Sequence, residues 1–113
     1  MSTIFKQIID KKIPAKLVYE DDLCLAFNDI APQAPIHILI IPKQELKTLN
    51  DFKKTDAELL GHLLLTAAEI AKKMGFDKDG YRTVINTNQN GGQTVYHLHV
   101  HLLAGRQLSW PPG

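Results

Sequence analysis

The stretch "YHLHVHLL", residues 96–103, carries the most informative pattern in this chain, because it spaces His97, His99 and His101 two residues apart within an apolar run. The chain has five histidines, and these three fall within five consecutive positions. Successive side chains of a β-strand point to opposite faces, so residues two apart share a face. The spacing predicts a strand with three imidazoles on one face and core residues on the other. The core-facing residues are Leu98, Val100 and Leu102.

A metal site is one interpretation of this histidine cluster. A strand rises about 3.3 Å per residue, so the Cα atoms of His97 and His101 lie roughly 13 Å apart. Zinc–nitrogen bonds are only about 2.0–2.1 Å long, so the outer pair cannot share an ion without strain. Cys24 belongs to another predicted strand, and His37 is the one further ligand in view. We therefore expect no metal and no cofactor.

Two other interpretations remain for the three histidines. They are either structural, satisfied by water and backbone on a half-exposed strand, or catalytic. Neighbouring rings disfavour each other's protonated form, which keeps the central ring, His99, neutral and nucleophilic near pH 7. The flanking rings would then donate to an anion such as phosphate. Gly91 and Gly92, just before this strand, form either a plain hairpin turn or a backbone cradle for that phosphate.

Composition limits the class of protein. With 113 residues, 44% hydrophobic and 22% charged, the chain fits a single globular domain, residues 1–113, with a C-terminal tail from about residue 104. The net charge of +1 comes from dispersed residues, so we expect no nucleic-acid partner. Apolar runs such as residues 38–41 are too short for a membrane span, and charges interrupt the N-terminal stretch, unlike a signal peptide. The single cysteine, Cys24, fits a strand in a reducing cytoplasm.

Periodicity predicts an α+β fold. A short N-terminal helix, capped by Ser2 or Thr3 and ended by Pro14, precedes a hairpin, "KLVYEDDLCLAFND", residues 16–29. "IHILIIP", residues 36–42, is typical of a central strand covered on both faces and closed by its proline. "YRTVINT", residues 81–87, a turn at "NQNGG", and a long strand "QTVYHLHVHLLAG", residues 93–105, follow. Hairpins and two helices predict a mostly antiparallel sheet of five strands, covered on one face by a long helix.

That long helix is predicted over residues 55–75. Thr55 and Glu58 suggest a capping box, and Gly75 suggests a left-handed C-terminal cap. His62 lies off the centre of the apolar stripe, so we expect it to face solvent or a partner. The stripe consists of Leu59, Leu60, Leu63, Leu64, Ala67, Ile70, Ala71 and Met74.

"HLHVHLL", residues 97–103, resembles the signature of the histidine triad (HIT) superfamily. Residues 4–43, residues 80–97 and the terminal "GRQLSWPPG", residues 105–113, are similar to its Hint branch, the purine nucleoside phosphoramidases. The resemblance implies a HIT-like fold and a hydrolase that binds purine nucleotides such as AMP or GMP. Its reaction would cleave the P–N bond of nucleoside 5′-phosphoramidates, such as AMP joined to an amine or a lysine.

The resemblance also implies residue roles. His99 would attack the α-phosphorus and form a nucleotidyl-histidine intermediate, which agrees with the physics of nucleophilic catalysis. His101 would bind the phosphate, His97 and His37 would support and orient the nucleophile, and Thr94 would assist the leaving group. Taken alone, His37 is equally well explained as a structural histidine.

Nucleotide binding is carried over from the family in the same way. Asp29 would accept both ribose hydroxyls, although an aspartate at a strand end is otherwise most often a loop cap. The other implied nucleotide-binding residues are Phe27, Asn28, Ile30, Leu39, Asn86, Gly92 and Thr94. An apolar wall against the purine would be formed by Ile4, Phe5, Ile8, Ile13 and Leu39, although any of these fits a plain core position.

Two departures from the family pattern concern Asn28, where the family often has His, and Thr94, where it often has Ser. Asn28 cannot titrate, and Thr94 keeps the hydroxyl but adds a stiff methyl group. The family resemblance further implies a homodimer whose long helices and adjacent strands join two sheets. Trp110, in the proline-rich tail, would either pack on its own domain or lie near the partner's site.

Two other functions stay open at this point. A nucleotide-binding regulatory protein with incidental catalysis is one of them. The other is hydrolysis of dinucleoside polyphosphates, a related activity of the superfamily, which Thr94 before the triad disfavours.

Overall fold

The computed structural model describes residues 2–113, which form one five-stranded sheet with a helix on each face. Two single turns of 3-10 helix, Leu49–Asp51 and Lys54–Asp56, lie between the third strand and the long helix. In chain order the helices and strands are α1 (Ile4–Ile9), β1 (Leu17–Glu20), β2 (Cys24–Asn28), β3 (Ile36–Pro42), α2 (Ala57–Met74), β4 (Tyr81–Val84), α3 (Asn88–Gly91) and β5 (Val100–Ala104).

All four strand pairings are antiparallel, and the spatial order is β1-β2-β3-β5-β4. The predicted α+β fold, a five-stranded antiparallel sheet with one long helix and a short N-terminal helix, is confirmed. β3 lies at the centre and is buried along nearly its whole length, as its β-branched run predicts. In the pairing of β3 with β5, Leu39 lies opposite His101 and His37 opposite Leu103.

The alternation of side chains divides the interior into two cores. On one face, Cys24 and Ala26 of β2 pack with α2. On the other face, Leu25 and Phe27 of β2 pack with α1. α1 begins where the Thr3 side chain accepts a hydrogen bond from the Lys6 backbone N–H. The sheet therefore separates a larger core under α2 from a smaller one under α1.

α2 ends as the sequence predicts but begins differently. Gly75 adopts a left-handed φ of 83° and caps the C-terminus. The predicted capping box of Thr55 and Glu58 is wrong, because the Asp56 carboxylate accepts from the Lys53 backbone N–H and closes a 3-10 turn instead. Within residues 2–113, the structure contains no helix with the length and apolar character needed to cross a bilayer.

The outer side of α2 is more exposed than the apolar stripe predicts. Leu63 is fully buried against the sheet, but Leu64 and Met74, which the stripe includes, are 40% and 50% exposed. His62, expected to face solvent or a partner, is half-buried with its Nε2 2.6 Å from the Asp21 carboxylate. The stripe that contacts the core is therefore narrower than its sequence pattern.

The long strand predicted over residues 93–105 is wrong in its first half, because β5 begins only at Val100. Continued past Ile40–Val100, the register would bring Leu98 opposite Pro42, which has no N–H to donate. The Leu98 backbone N–H bonds to the Leu46 carbonyl instead. The preceding "NQNGG" turn contains the one-turn helix α3.

Hydrogen bonds of the Gln93 side chain, rather than a strand ladder, fix the position of this irregular segment. Its Oε1 accepts from the Asn88 backbone N–H, and its Nε2 donates to the carbonyls of Lys47 and Val95. The side-chain alternation nonetheless persists: Leu98 joins the α2 core with the core-facing residues of β5, while the histidines face the other side.

After β5 the tail runs back across the sheet edge. The Arg82 guanidinium donates to the Ser109 carbonyl, and Arg106 donates to the Gln33 carbonyl. Trp110 is 82% exposed, so it does not pack on its own domain.

The burial of Leu63 in the α2 core yields a stability prediction. Leu63→Ala should lower the free energy of unfolding by about 2–5 kcal/mol, because it removes apolar contacts and leaves a cavity. Leu23→Ala is the matched control, since Leu23 is 48% exposed at the tip of the β1–β2 hairpin and should cost under about 1 kcal/mol. Urea unfolding at one protein concentration measures both, and equal losses would contradict the assigned core.

Candidate active site

A cavity of about 500 Å³ opens on the α1 side of the sheet, within the size range of small-molecule sites. It extends from the aromatic and aliphatic side chains of α1 and β2 to the imidazoles of His99 and His101. Its lining residues are Ile4, Phe5, Ile8, Ile13, Pro14, Ala15, Lys16, Phe27, Asn28, Asp29, Ile30, Leu39, Thr94, Val95, His99 and His101.

The His99 ring has a tautomer set by its hydrogen bond. Its Nδ1 lies 2.8 Å from the backbone carbonyl oxygen of His97. A carbonyl oxygen only accepts, so Nδ1 carries the proton and donates. In the neutral ring, Nε2 is then left with a free lone pair. His99, which lines the cavity, therefore carries one unprotonated ring nitrogen, Nε2.

A second chain of hydrogen bonds sets the tautomers of His37 and His101. The Gln33 backbone N–H donates to His37 Nδ1 over 3.0 Å, so the proton of the neutral His37 ring lies on Nε2. His37 Nε2 lies 2.9 Å from His101 Nδ1 and donates to it. The remaining nitrogen of the neutral His101 ring, Nε2, therefore carries a proton and is a donor, on a ring whose centroid lies 4.9 Å from that of His99.

The imidazole of His97 plays a different part from the other two. It is 2% exposed, does not line the cavity, and its Nε2 donates to the Pro42 carbonyl over 2.7 Å. It therefore anchors the irregular segment before β5 to the end of β3. Its backbone carbonyl, rather than its ring, contacts His99. His37 likewise contacts His101 and not His99.

Aromatic packing holds the His99 ring from the α1 side. The ring of Phe5 meets it edge to face, with centroids 5.0 Å apart and planes at 84°. Phe5 also packs edge to face on Phe27 at 5.4 Å, and both phenylalanines are buried. This arrangement keeps His99 94% buried without closing the cavity in front of it.

Burial also controls the charge of the imidazoles. Desolvation lowers the pKa of His99, and the neighbouring His97 and His37 rings lower it further, against the opposing hydrogen bond to the His97 carbonyl. The pKa of His101 falls to about 4, through burial and then the nearby His99 and His37. Burial likewise lowers the pKa of His37 and of His97. All four rings are therefore neutral near pH 7.

Asp29 supplies the carboxylate at the rim of the cavity, just beyond β2. Its Oδ1 accepts from the Ala31 backbone N–H, as a loop cap does, and its Oδ2 lies 3.5 Å from His37 Nε2. Asn28 and Ile30 flank it, both exposed and both lining the cavity. The carboxylate thus has one cap bond and retains acceptor capacity toward the cavity.

Asp29, His37 and His101 also form a group that could hold a metal ion, with one donor atom of each within 4.8 Å of the others. His37 and His101 already bond to each other in this group. The metal site considered from the sequence was built on His97, His99 and His101. In the structure the ring that bonds to His101 is that of His37, so this potential metal group is a different set of residues.

Most of the sequence-predicted binding residues line the cavity, but three do not. Asn86 and Gly92 do not line the cavity. Gly92 is the left-handed cap of α3, with a φ of 83°. Trp110 is also outside it. Thr94 does line it, together with His99 and His101.

Sequence reasoning missed several residues of the site. Val95 and Lys16 line the cavity. Their nearness in sequence to Thr94 and Ile13, two predicted site residues, was the signal that could have indicated them. The Gln33 backbone N–H, which sets the His37 tautomer, leaves no trace in side-chain patterns. Gln93 is buried at 7% exposure and shapes the segment leading to the histidines.

The comparisons with known proteins confirm the resemblance. A family model described as the HIT domain matches residues 10–108. An uncharacterised HIT-like protein of Synechococcus elongatus is 63% identical over 111 residues, covering 98% of this chain and 96% of that protein. Escherichia coli purine nucleoside phosphoramidase is 53% identical over 106 residues, 94% of this chain and 89% of that protein.

A solved structure is similarly close. The HIT family hydrolase from Legionella pneumophila has a TM-score of 0.96 and 51% identity to this chain, covering 99% of this chain and 100% of that one. Sequence and fold thus agree over nearly the full length, and this chain belongs to the HIT domain family.

Proposed function

We propose that this protein is a purine nucleotide-binding hydrolase that cleaves the P–N bond of nucleoside 5′-phosphoramidates. The observation that carries the proposal is the His99 tautomer, because the bond from Nδ1 to the His97 carbonyl leaves the Nε2 lone pair available in the cavity. The identity to Escherichia coli purine nucleoside phosphoramidase supports the same substrate class.

In the proposed first step, His99 Nε2 attacks the α-phosphorus and the P–N bond breaks, giving a nucleotidyl-histidine. The departing amine needs a proton, and we assign its source to two of the donors that line the cavity, His101 Nε2–H and the Thr94 hydroxyl. A positioned donor of this kind both stabilises the phosphoryl oxygens and improves the leaving group.

In the proposed second step, water attacks phosphorus and the bond to His99 Nε2 breaks. The water's hydroxide remains on the nucleoside monophosphate, and its proton restores the donor that protonated the amine. His99 returns to its neutral form with the same tautomer. The sum is the hydrolysis of one P–N bond with one water, and no metal takes part.

The rest of the cavity is suited to a nucleoside. Asp29, which lines the cavity with Phe27, Asn28 and Ile30, would accept from the two ribose hydroxyls. The base would lie against the apolar wall of the cavity, where aromatic and aliphatic side chains contribute area rather than hydrogen bonds. That wall is formed by Ile4, Phe5, Ile8, Ile13 and Leu39.

We further propose a homodimer joined through the outer face of α2. Leu64 and Leu65 of this helix are 40% and 68% exposed, and Met74 is 50% exposed. The neighbouring strand β4 is an edge strand with free backbone groups on one side. In such a dimer, the exposed Trp110 of one copy would lie near the site of the other.

Removal of the nucleophile tests the proposed reaction. With adenosine 5′-phosphoramidate as substrate, His99→Ala should lower the rate of AMP release by about a thousandfold or more, as expected when a covalent nucleophile is lost. The wild-type rate should be unchanged by a chelator. AMP binding by the variant, measured by equilibrium dialysis, controls for folding.

Each alternative has its own outcome in this assay. A wild-type rate no higher than that of His99→Ala, with AMP still bound, would leave a nucleotide-binding module. Loss of activity in chelator would restore a metal mechanism. Faster cleavage of diadenosine polyphosphates than of phosphoramidates would assign the protein to that activity instead.

The lowered pKa of His99 predicts the pH profile. Protonation of Nε2 removes the attacking lone pair, so kcat/KM should fall to half its maximum at a pH below the ordinary imidazole pKa of 6.5. The rate without enzyme is subtracted at each pH, because P–N bonds hydrolyse in acid. A half-maximal point at or above pH 6.5 would contradict a neutral, desolvated nucleophile.

A charge on the exposed face of α2 tests the dimer. Sedimentation velocity should give a dimer for the wild-type chain, and Leu65→Glu should shift it toward monomer, because an ionised carboxylate is costly to bury. Leu23→Glu, at the opposite edge of the sheet, should leave the dimer intact. A monomeric wild type, or equal effects of the two variants, would refute this interface.

A further inference from the structure

A second polar cluster lies on the other side of the sheet from His99, under α2. It brings together Asp21 from the β1–β2 turn, Cys24 from the start of β2 and His62 from α2. One carboxylate oxygen, the Cys24 Sγ and a His62 ring nitrogen all lie within 4.8 Å of one another. In the sequence, no histidine is spaced near Cys24, because His62 follows it by almost forty residues.

The Asp21 carboxylate is held in one orientation. Its Oδ1 accepts from the backbone N–H groups of Leu23 and Cys24, at 2.8 and 2.9 Å. Its Oδ2 accepts from the Tyr19 hydroxyl at 2.7 Å and faces His62 Nε2 at 2.6 Å. Partial burial raises the pKa of Asp21, but these hydrogen bonds outweigh it and leave the pKa below the ordinary value. The result is an ionised oxygen ligand, oriented by its neighbours.

Cys24 supplies a buried sulfur at the base of the cluster. It is 0% exposed, and its Sγ lies 3.8 Å from the Oγ1 of Thr66. Burial raises the pKa of the thiol to about 12, against the lowering effects of the Thr66 hydrogen bond and of Lys43, so the sulfur is protonated in the metal-free protein. A bound dication would reverse that balance, because metal coordination deprotonates a thiol outright.

We propose that Asp21, Cys24 and His62 form a site for a borderline-soft divalent cation such as Zn²⁺. The set offers one oxygen, one sulfur and one nitrogen, which are the three ligand atoms that zinc takes in proteins. Water completes a tetrahedral shell from the side of His62, whose side chain is 33% exposed. The site is separate from the proposed active site and does not depend on it.

The protons balance when the ion binds. The Cys24 thiol loses its proton to solvent as the metal–sulfur bond forms. His62 coordinates through Nε2 with a proton on Nδ1, and any proton displaced from Nε2 passes to solvent or to Nδ1. The ion would tie the β1–β2 hairpin to α2 and so stabilise the folded chain.

Cobalt(II) is the probe for this site, because a cobalt–thiolate bond absorbs in the near ultraviolet and Cys24 is the only cysteine in the chain. Titration of the full chain should give that band, and Zn²⁺ should displace it. Cys24→Ala should abolish the band, and His62→Gln should weaken cobalt binding by about tenfold or more. His37→Gln is the matched control, since it disrupts the other potential metal group and should leave the band unchanged.

Unfolding in Zn²⁺ gives a readout that does not depend on the thiolate band. Zn²⁺ should raise the Tm of the wild-type chain and of His37→Gln, but not that of His62→Gln, whose substitution is at a half-exposed position and is easily tolerated. Absence of the thiolate band at saturating cobalt would overturn the proposal and leave a simple ion pair. A band that His62→Gln does not weaken would overturn the ligand set.

Discussion

The antiparallel register between β3 and β5 is the constraint on which the site depends. With Leu39 opposite His101, the side chains of His37 and His101 emerge as diagonal neighbours on the same face of the sheet. That proximity allows the 2.9 Å bond between their rings. A shift of one residue would turn His101 into the core under α2 and bring Leu102 to the cavity. The hydrophobic pattern of β5 therefore fixes the chemistry as well as the fold.

Local pattern was sufficient to predict what depends on side-chain periodicity. The α+β order, the left-handed cap at Gly75 and the separation of Leu98 from His99 onto opposite faces all follow from residue spacing and are confirmed. Strand length did not follow, because it depends on a partner. Residues 93–99 alternate like a strand, but Pro42 denies them a ladder and Gln93 holds them by side-chain bonds instead.

Contacts between distant residues account for the rest of what the sequence did not predict. The Gln33 N–H that sets the His37 tautomer comes from a loop, and backbone groups carry no side-chain signal. His62 keeps the partial exposure expected of it but also meets Asp21 across 41 positions of sequence, a contact that residue spacing did not indicate. In both cases the decisive partner is brought close by the tertiary fold, which spacing along the chain does not encode.

The hydrogen-bond chain and the lowered pKa values of the histidines are two expressions of one constraint. His37 has to accept from Gln33 through Nδ1, so only its Nε2 can carry a proton toward His101. If His101 were protonated, its Nδ1–H would point at that donor, and the bond between the rings would become a contact between two donors. Relief would require breaking the bond to Gln33 in a buried region, which is costly. The geometry therefore opposes positive charge on His101 in addition to desolvation, and it presents a neutral donor near His99 before the proposed reaction begins.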